Sequence, residues 1–518
     1  MIDSDVFVMI VTLFGMLIAL VNDQLRPGLV LFSVVVVFLS TGILSPSEAV
    51  AGFSNRGMLT VAMLFLVSEG VRRSGVLSKI VKKILPTKKT NIPLSQLQIL
   101  PVISFLSGFL NNTPVVIIFA PIVKRWAEKI GFSPTKFLIP LSYATILGGA
   151  STLIGSSTNL LVHGMMLNEG LEGFRMFELG KIGGIIALVG LCYLILFSGM
   201  LLPATRKEED DENKEAGDAE YFLIEVMLGV RFPGINRSIK RFDFFRRYGV
   251  TIRHIKRNGE VLAADAEDER FKTNDTLVLW ADASFVKAWG DSSIFVFLSD
   301  TKQEVDSQKS RQKRYLSIAL LVMMIVGGTI GEMPFMNRLF PNFRFDMFFF
   351  VSLTTVVMAW TKLFPPKKYT KFISWDILLT IASALAISTA IENSGFSALI
   401  ASFLVEHTVH LSPHVLLALI FILTNIITEL ITNNAAAALV FPIAHSVSAQ
   451  LGVDPLPFIV TICIAASASF CTPIGYQTNL IVQGLGNYKF SDYLRVGLPL
   501  NLIAFILSVG LIPLIWEF

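Results

Sequence analysis

Two polar interruptions recur at matched positions in the two halves of this 518-residue chain, inside segments that are otherwise apolar. The first reads Asn111-Asn112-Thr113 in one half and Thr432-Asn433-Asn434 in the other. In both halves an apolar run then leads to a proline nine positions after the central asparagine. The second interruption ends in Thr158-Asn159 and Thr478-Asn479, 47 and 46 positions further on. Uncompensated polar groups are costly at membrane depth, so this repeat is typical of a transporter's midplane site.

The composition of the chain is that of a membrane protein. Hydrophobic residues make up 53% of the sequence and charged residues 16%, and the mean hydropathy is +0.64. This is far more apolar than a soluble protein. Several apolar runs reach about 20 residues, the length of a membrane-spanning helix. The three cysteines lie in apolar segments and indicate neither a disulfide framework nor a zinc site. The sequence therefore predicts a polytopic α-helical membrane protein.

The chain divides into three parts. Residues 1–205 form a first membrane repeat, 206–312 a hydrophilic linker with a small domain at 220–298, and 313–518 a second membrane repeat. The predicted spans outside the interrupted segments are about Val6–Val21, Pro27–Leu44, Met58–Val71, Gly180–Leu202, Tyr315–Ile330, Met347–Lys362, Trp375–Ile391 and Val496–Ile515. Neither a Gly-x-Gly-x-x-Gly nor a Walker A sequence occurs, so no enzyme chemistry on nucleotides is indicated.

Basic residues predict the orientation. They cluster after the third span, which places residues 72–93 in the cytoplasm and the N-terminus outside. Ile92–Leu110 and the helix after Pro114 have basic residues at both outer ends, so they form a re-entrant hairpin entering from the cytoplasm. The corresponding stretch, about Val415–Ala449, has no Lys or Arg at either end and predicts a hairpin entering from outside. The two repeats are thus inverted. The protein is expected in the inner (plasma) membrane, with both termini outside and residues 206–312 cytoplasmic.

A broken helix follows each hairpin. Phe137–Ile154 is predicted to break at Gly155–Asn159, and Pro457–Phe470 is followed by a break at Thr472–Asn479. Helix N-termini at such breaks present free N–H groups and a positive dipole end, which suit an anion. Carbonyl, Asn and Thr oxygens at the other ends suit Na⁺. Neither hairpin tip and neither break contains a Lys or an Arg.

The small domain is predicted to be α+β. Tyr221–Leu228 alternates like a strand, Ser238–Tyr248 is helical in pattern, a hairpin begins at Val250, and Thr276–Leu279 is a final strand. Its basic residues between positions 237 and 257 predict a solvated or lipid-facing surface. A regulatory nucleotide is the alternative ligand for that surface.

The two hairpin motifs carry a resemblance to a known family. Asn111-Asn112-Thr113 and Thr432-Asn433-Asn434 resemble the paired Ser-Asn-Thr motifs of the divalent anion–sodium symporter (DASS) family. Glu429 matches an acidic residue common in the second motif of that family. The resemblance covers both membrane halves, and it implies an elevator-type homodimer in which a transport domain moves against a scaffold within the lipid.

The resemblance also implies which residues bind substrate and Na⁺. The substrate-binding candidates are Asn112, Thr113, Ser157, Thr158, Asn159, Asn433, Asn434, Gln477, Thr478 and Asn479. One Na⁺ would be held by oxygens of Asn111, Asn112, Gly155 and Ser156. The other would be held by oxygens of Thr432, Asn433, Gly475 and Tyr476. Glu429 is either a structural clamp on the tip or a coupling group.

Departures from the family pattern bear on the substrate. Asn111 and Thr432 replace the motif serines. Both breaks read Thr-Asn, whereas the sequence typical of the family's dicarboxylate carriers at this place is Pro-Pro-Asn. Residues 472–479 and 486–492 are more similar to the sulfate-permease branch, whose members carry cytosolic TrkA-C-type domains; residues 220–298 resemble one copy of such a domain. The sequence therefore predicts Na⁺-coupled symport of a small divalent oxyanion, with sulfate as the first candidate.

Three alternatives remain open from the sequence. The first is a Na⁺-coupled dicarboxylate symporter, and the second is a proton-coupled carrier that uses Glu429. The third is an anion sensor with weak or no transport. None of them involves nucleic acid or enzyme chemistry.

Overall fold

The structure is a computed structural model. It describes residues 4–21, 25–87, 91–204, 222–229, 232–257, 260–263, 269–273, 275–281, 285, 289, 294–297, 311–331, 333–339, 345–407 and 412–518. The acidic stretch at positions 208–212, which predicts a linker, lies outside these residues.

The regular secondary structure described in the first membrane half is helical. Its helices are α1 (Ser4–Val21), α2 (Pro27–Thr41), α3 (Pro46–Ala51), α4 (Arg56–Arg73), α5 (Val76–Ile84), α6 (Ile92–Ser107), α7 (Asn112–Ile130), α8 (Thr135–Gly149), α9 (Ser157–Asn168) and α10 (Gly180–Tyr193). A π-helical turn, Leu194–Ser198, extends α10 to Leu201.

A small domain separates the two membrane halves. It consists of β1 (Phe222–Leu228), α11 (Ile239–Phe242), α12 (Phe244–Tyr248), β2 (Thr251–Arg257), β3 (Glu260–Ala263), β4 (Thr276–Ala281) and β5 (Phe295–Phe297). The strands form one antiparallel sheet in the order β3-β2-β4-β1-β5. Aromatic rings, among them Phe232, Phe242 and Phe271, fill a separate core beneath it.

The second membrane half repeats the helical series. Its helices are α13 (Arg311–Gly331), α14 (Pro334–Leu339), α15 (Met347–Trp360), α16 (Trp375–Asn393), α17 (Phe396–His407), α18 (Pro413–Leu430), α19 (Asn433–Leu451), α20 (Leu456–Ser467), α21 (Gln477–Gly486) and α22 (Phe490–Ile515).

The two hairpins correspond in length and at their ends. The first tip helix α7 and the second tip helix α19 each have 19 residues, begin at an asparagine and contain a proline nine positions later, Pro121 and Pro442. Each ends at a glycine in the left-handed region, Gly131 (φ 77°) and Gly452 (φ 66°), where a side chain would be strained. The equal lengths and equivalent ends of α7 and α19 therefore agree with the repeat that the sequence predicts. The inverted orientation in the membrane stays a prediction.

Helices of one half pack against helices of the other. The helix Trp375–Asn393 (α16) lies along Pro27–Thr41 (α2), and Met347–Trp360 (α15) lies along Arg56–Arg73 (α4). The buried side chains of both halves form one continuous hydrophobic core. The membrane halves are therefore interlocked.

Six helices in the described part of the chain are long and apolar enough to span a membrane. They are Pro46–Arg73, Gly180–Leu201, Gln312–Gly331, Trp375–Asn393, Pro413–Leu430 and Phe490–Ile515. Shorter apolar helices accompany them, including Ser4–Leu20 and Pro27–Thr41. The prediction of a polytopic helical membrane protein is confirmed.

The breaks lie earlier than the sequence predicts. Helix α8 ends at Gly149 rather than Ile154, and α9 begins at Ser157. The first break is therefore residues 150–156. The second break is residues 468–476, between α20 and α21. Thr158, Asn159 and their counterparts Thr478 and Asn479 lie in the first turn of the following helix. In the first half Ser156 accepts a hydrogen bond from the Thr158 N–H and so caps α9 one residue before its start.

Two predictions for the small domain are also corrected. The helix predicted over Ser238–Tyr248 is interrupted at Asp243 (φ 48°), whose carboxylate accepts a hydrogen bond from the Arg246 N–H at 3.2 Å and so caps a new helix. Thr276–Leu279 is not the last strand, since β5 follows it and pairs with β1.

The basic residues of the domain are partly used inside it. Arg257 donates to both carboxylate oxygens of buried Asp275, at 2.8 and 2.9 Å, and to Glu269 at 2.9 Å. Hydrogen bonding to Asp275 is the largest cause that raises the pKa of the Arg257 guanidinium. Arg257 therefore holds the strand ends together. The sequence predicts that this arginine belongs to a solvated or lipid-facing basic surface, and the structure corrects that prediction for Arg257.

The domain also contacts the membrane half. Glu225 on β1 accepts from Lys256 of β2 at 3.1 Å, and its other oxygen lies 3.8 Å from Lys124 near the end of α7. Met227, two residues along β1, packs into the core of the membrane halves. The first strand of the domain is thus seated on the first tip helix.

The charge-based orientation can be tested with single cysteines. In a variant free of the native Cys192, Cys463 and Cys471, a cysteine at Glu172 is expected to react with an impermeant maleimide in intact cells. A cysteine at Lys83 is expected to react only after permeabilisation, because basic connections stay inside. Labelling of Lys83→Cys in intact cells would contradict the predicted orientation.

Candidate functional site

Each tip is tied to its own half by a hydroxyl five residues before the central asparagine. The first tip, residues 108–111, precedes Asn112, whose amide lies 2.7 Å from Ser107 Oγ. The second tip, residues 431–432, precedes Asn433, whose Oδ1 accepts from Thr428 Oγ1 at 2.8 Å. Asn112 is 2% exposed and Asn433 9%, so these amides are held inside the protein.

Each tip helix also reaches the break of the opposite half. Thr113, the second residue of α7, donates through Oγ1 to Gln477 Oε1 at 3.2 Å, where α21 begins. Its counterpart Asn434 accepts through Oδ1 from Thr158 at 3.0 Å and from Ser157 at 3.4 Å, where α9 begins. The two halves exchange equivalent contacts, and the four polar segments become one site.

Tyr476 occupies the centre of this site. Its hydroxyl lies 2.5 Å from the Asn112 amide and within hydrogen-bonding reach of Ser156 and Asn433. One side chain thus connects both tip asparagines with the first break. The sequence predicts Tyr476 only as a Na⁺ ligand, and the contact of its hydroxyl with the tip asparagines was missed. The signal was available, because Tyr476 stands where the first half has Ser156, directly before the helix that follows the break.

Asn159 and Asn479 hold the breaks in shape. The Asn159 amide donates to the carbonyl oxygens of Thr152 (2.8 Å) and Gly149 (3.4 Å). The Asn479 amide donates to those of Thr472 (3.2 Å) and Ser469 (3.0 Å). Both asparagines are fully buried. They satisfy carbonyl groups that the broken helices leave free, a role that differs from the predicted contact with substrate.

Close approach of neighbouring atoms explains the glycine in each break, a backbone carbonyl at Gly155 and a serine side chain at Gly475. A Cβ at Gly155 would lie 2.6 Å from the Gly149 carbonyl oxygen, and one at Gly475 would lie 1.8 Å from Ser469 Oγ. A threonine hydroxyl stabilises the same turn in both halves, since Gly155 N donates to Thr152 and Gly475 N to Thr472, each at 3.1 Å.

Glu429 closes the second break onto the second hairpin. Its carboxylate accepts from the N–H groups of Cys471 (2.8 Å) and Thr472 (2.9 Å) and from the Asn501 amide (3.0 Å). The corresponding residue of the first half is Gly108, which has no side chain. Among the described residues, the hydrogen-bond partners of the Glu429 carboxylate lie in the break and in α22, so the arrangement favours the structural clamp over the coupling group.

The electrostatics of the site come from helix ends. The tip helices α7 and α19 and the post-break helices α9 and α21 all begin in this hydrogen-bonded cluster. Asn111, Ser156 and Thr432 cap three of them by accepting backbone N–H bonds. Each N-terminus carries about half a positive charge. The site is therefore positive without any basic side chain.

The predicted residues are brought together, with different roles. Asn112, Thr113, Ser157, Asn433, Asn434 and Gln477 line the junction of tips and breaks. Thr478 is fully buried and accepts from Ser142 at 2.9 Å. Ser107, Thr428 and Ser142 were missed, although the repeat register places Ser107 and Thr428 at equivalent positions.

A protein-family comparison identifies the chain. The model described as "Citrate transporter" (CitMHS) matches residues 13–465, which is most of the sequence. The chain belongs to the citrate transporter family. It is therefore a membrane transporter and not an enzyme, and the predicted transporter resemblance is confirmed at that level.

Similar proteins carry transport names. An uncharacterized transporter of Synechocystis is 29% identical over 93% of this chain and 92% of its own length. A probable sodium/sulfate cotransporter of Chlamydomonas reinhardtii is 31% identical over 48% of this chain and 28% of its own length. A Na⁺/dicarboxylate cotransporter of Mus musculus is 23% identical over 72% of this chain and 54% of its own length.

A solved structure shares the fold. The YdaH transporter of Alcanivorax borkumensis has a TM-score of 0.52 and 12% identity, covering 90% of this chain and 87% of the other. At this identity the similarity concerns the fold alone.

Replacement of Glu429 distinguishes a clamp from a coupling group. In Glu429→Gln the amide NH₂ group cannot accept from the N–H of Cys471 or Thr472, so the free energy of unfolding should fall by about 1–3 kcal/mol. Thermal unfolding of the purified protein measures this loss, and exposed Glu172→Gln is the matched control. Unchanged stability together with loss of any pH dependence of uptake would show that Glu429 is a coupling group.

Proposed function

We propose that this transporter couples Na⁺ entry to uptake of a small divalent oxyanion, with sulfate as the first candidate substrate. The observation that carries the proposal is the convergence of four helix N-termini on Tyr476 in a site without Lys or Arg. N–H, hydroxyl and amide donors can bind an oxyanion without a permanent countercharge. Co-bound cations then supply the compensating charge.

The surroundings of Asn112 support one Na⁺ site. One amide atom of the Asn112 side chain faces the Tyr476 hydroxyl. The other lies 2.7 Å from Ser107 Oγ, 3.2 Å from the Thr145 carbonyl oxygen and 3.3 Å from the Gly155 carbonyl oxygen. An NH₂ group at this position has all three oxygens within hydrogen-bonding distance and can donate to two of them at a time. With the amide turned over, Oδ1 joins them and four oxygens surround one point, an arrangement that suits Na⁺. Amide rotation of Asn112 then links Na⁺ binding to the contact with Tyr476.

The second break offers a comparable group of oxygens. Ser469 Oγ is buried and has no hydrogen-bond partner among the described residues, and it adjoins Gly475. The Thr472 and Ser469 carbonyl oxygens point to the same turn through their bonds to Asn479. A buried hydroxyl without a partner is costly unless something binds it. A second Na⁺ beside Thr432, Asn433 and Gly475 would satisfy it.

The substrate class rests on the donors that the site offers. Hydroxyl and amide groups of Thr113, Ser157, Asn433, Asn434 and Gln477 surround the junction. They suit a compact tetrahedral dianion, and the sodium/sulfate name of the Chlamydomonas relative agrees. The family description and the mouse relative favour the second candidate, a di- or tricarboxylate.

Movement and regulation follow from the same contacts. Tips and breaks are hydrogen-bonded into one unit, which supports an elevator step in which they move together within a homodimer. The β1 strand of the small domain rests on the end of α7 through Glu225 and Lys124. A cytoplasmic ligand of that domain, such as a nucleotide, could then bias the two transport states if it distinguishes them.

The tip asparagines provide the test of the site. Asn112→Ala and Asn433→Ala should each abolish Na⁺-driven uptake of labelled sulfate into proteoliposomes, because loss of one well-placed ligand costs about 1–3 kcal/mol. Asn91→Ala is the control, since Asn91 is exposed and makes no side-chain cap.

The same assay with succinate and citrate identifies the substrate class. Uptake of a carboxylate but not sulfate would replace the first candidate by the second. Near-normal uptake in both tip variants would contradict the site itself. Saturable anion binding to the wild type with no flux in any gradient would favour the sensor.

The contact between the domain and the tip helix predicts a regulatory effect. Lys124→Ala removes the link from Glu225 to α7, and the rate of uptake should change by at least about twofold while substrate affinity stays unchanged. Lys256→Ala is the matched control because it removes the other partner of the same carboxylate, within the domain. Identical rates in wild type and Lys124→Ala, with and without cytoplasmic nucleotide, would contradict this role.

A further inference from the structure

Three potential metal ligands from three helices meet away from the transport site. Glu169 follows the last residue of α9, Glu392 is the penultimate residue of α16, and His445 lies on the second tip helix α19. One ligand atom of each lies within 4.8 Å of the other two. His445 Nδ1 is 4.0 Å from Glu169 Oε2. The donor set, two carboxylates and one imidazole, is a set that first-row divalent cations accept.

The protein alone does not satisfy this cluster. Glu392 Oε1 is shielded from solvent and has no hydrogen-bond partner within the described part of the chain. The neighbouring carboxylate of Glu169 is near enough to repel it when both are charged, or to share a proton with it. Two adjacent carboxylates need a cation or a shared proton between them. The nearby imidazole, a common neutral metal ligand, favours the cation.

The repeat shows that the cluster is not part of the shared architecture. Counted from the start of each tip helix, His445 corresponds to Lys124. Counted from the start of their own helices in the same way, Glu392 corresponds to Arg73 and Glu169 to Lys489. All three counterparts are basic. The anionic cluster therefore exists at one end of the molecule only, the end that the charge bias places outside.

We propose that Glu169, Glu392 and His445 bind a first-row divalent cation, with Zn²⁺ as the best fit. Zinc ligands bind at about 2.0–2.2 Å, so ligand atoms of a tetrahedral site are about 3.5 Å apart. The three side chains must therefore approach one another by about 1 Å. Water completes the coordination, as in zinc sites with three protein ligands.

The cation would connect a helix outside the transport site to two helices that build it. Helix Trp375–Asn393 (α16) packs on Pro27–Thr41 (α2) and Pro46–Ala51 (α3), which contribute no side chain to the site, and it also packs along the second tip helix α19. Helices α9 and α19 carry Ser157 and Asn434. Bound Zn²⁺ should hold them against α16 and so slow any movement of the site relative to it. This consequence rests on the proposed elevator function; the binding itself does not.

Zn²⁺ alone is the probe for the test. Calorimetry of the purified full-length protein in nanodiscs should show one saturable Zn²⁺ site per chain. Glu169→Gln, Glu392→Gln and His445→Gln should each weaken binding at least tenfold. His414→Gln is the control, because His414 is an exposed histidine beside Phe518. Equal Zn²⁺ affinity in the wild type and the three cluster variants would overturn the proposal.

A second measurement uses only the wild type. Co²⁺ should give the visible absorption of a four- or five-coordinate site and be displaced by one equivalent of Zn²⁺, while Mg²⁺ should not compete. Absence of a saturable Co²⁺ spectrum would overturn the site even if a variant failed to fold. External Zn²⁺ should inhibit anion uptake in wild type and not in Glu392→Gln. If Zn²⁺ binds but does not inhibit uptake, the proposal that the cation restrains α9 and α19 is overturned, whereas the binding site stands.

Discussion

The free ends of the broken helices are the constraint on which the rest of the structure depends. A helix that stops inside an apolar layer leaves N–H and C=O groups that water cannot reach. In each half one asparagine, Asn159 or Asn479, takes up carbonyl groups of the break, and one threonine, Thr152 or Thr472, stabilises the turn. The N–H groups at the opposite ends stay directed towards the centre. The positive site is thus a consequence of how the carbonyl ends are satisfied.

The two halves meet this constraint with different side chains. Thr472 bonds to the Glu429 carbonyl, as Thr152 does to the Gly108 carbonyl, so the backbone pairing is the same in both halves. Only the second half adds the Glu429 carboxylate, which accepts two further N–H groups of the break. Tyr476 likewise replaces the smaller Ser156. The centre of the site is therefore asymmetric although its frame is symmetric, and a substrate bound there has two different sides.

The sequence predicted the frame better than the contacts. The spacing of Asn112 and Asn433 located both tip helices, because polar residues in apolar runs have few physical solutions. The breaks were placed too late, since Thr158 and Asn159 were interpreted as unwound although they belong to the first turn of α9, which Ser156 caps. The interruption at Asp243 was missed because its left-handed backbone depends on a local side-chain cap. The cluster of Glu169, Glu392 and His445 joins helices far apart in sequence, and no local pattern indicates it.

The hydrogen bonds that close the site also explain how it could select a substrate. Tyr476 with Asn112, Thr113 with Gln477 and Asn434 with Thr158 satisfy one another across the halves. An entering anion must replace these bonds with equally good ones, because unpaired buried groups are costly. An anion that offers too few acceptors leaves donors unpaired and is rejected. Cations bound beside Asn112 and Asn433 would turn the same amides towards the anion. Coupling and selectivity would then depend on one set of side chains.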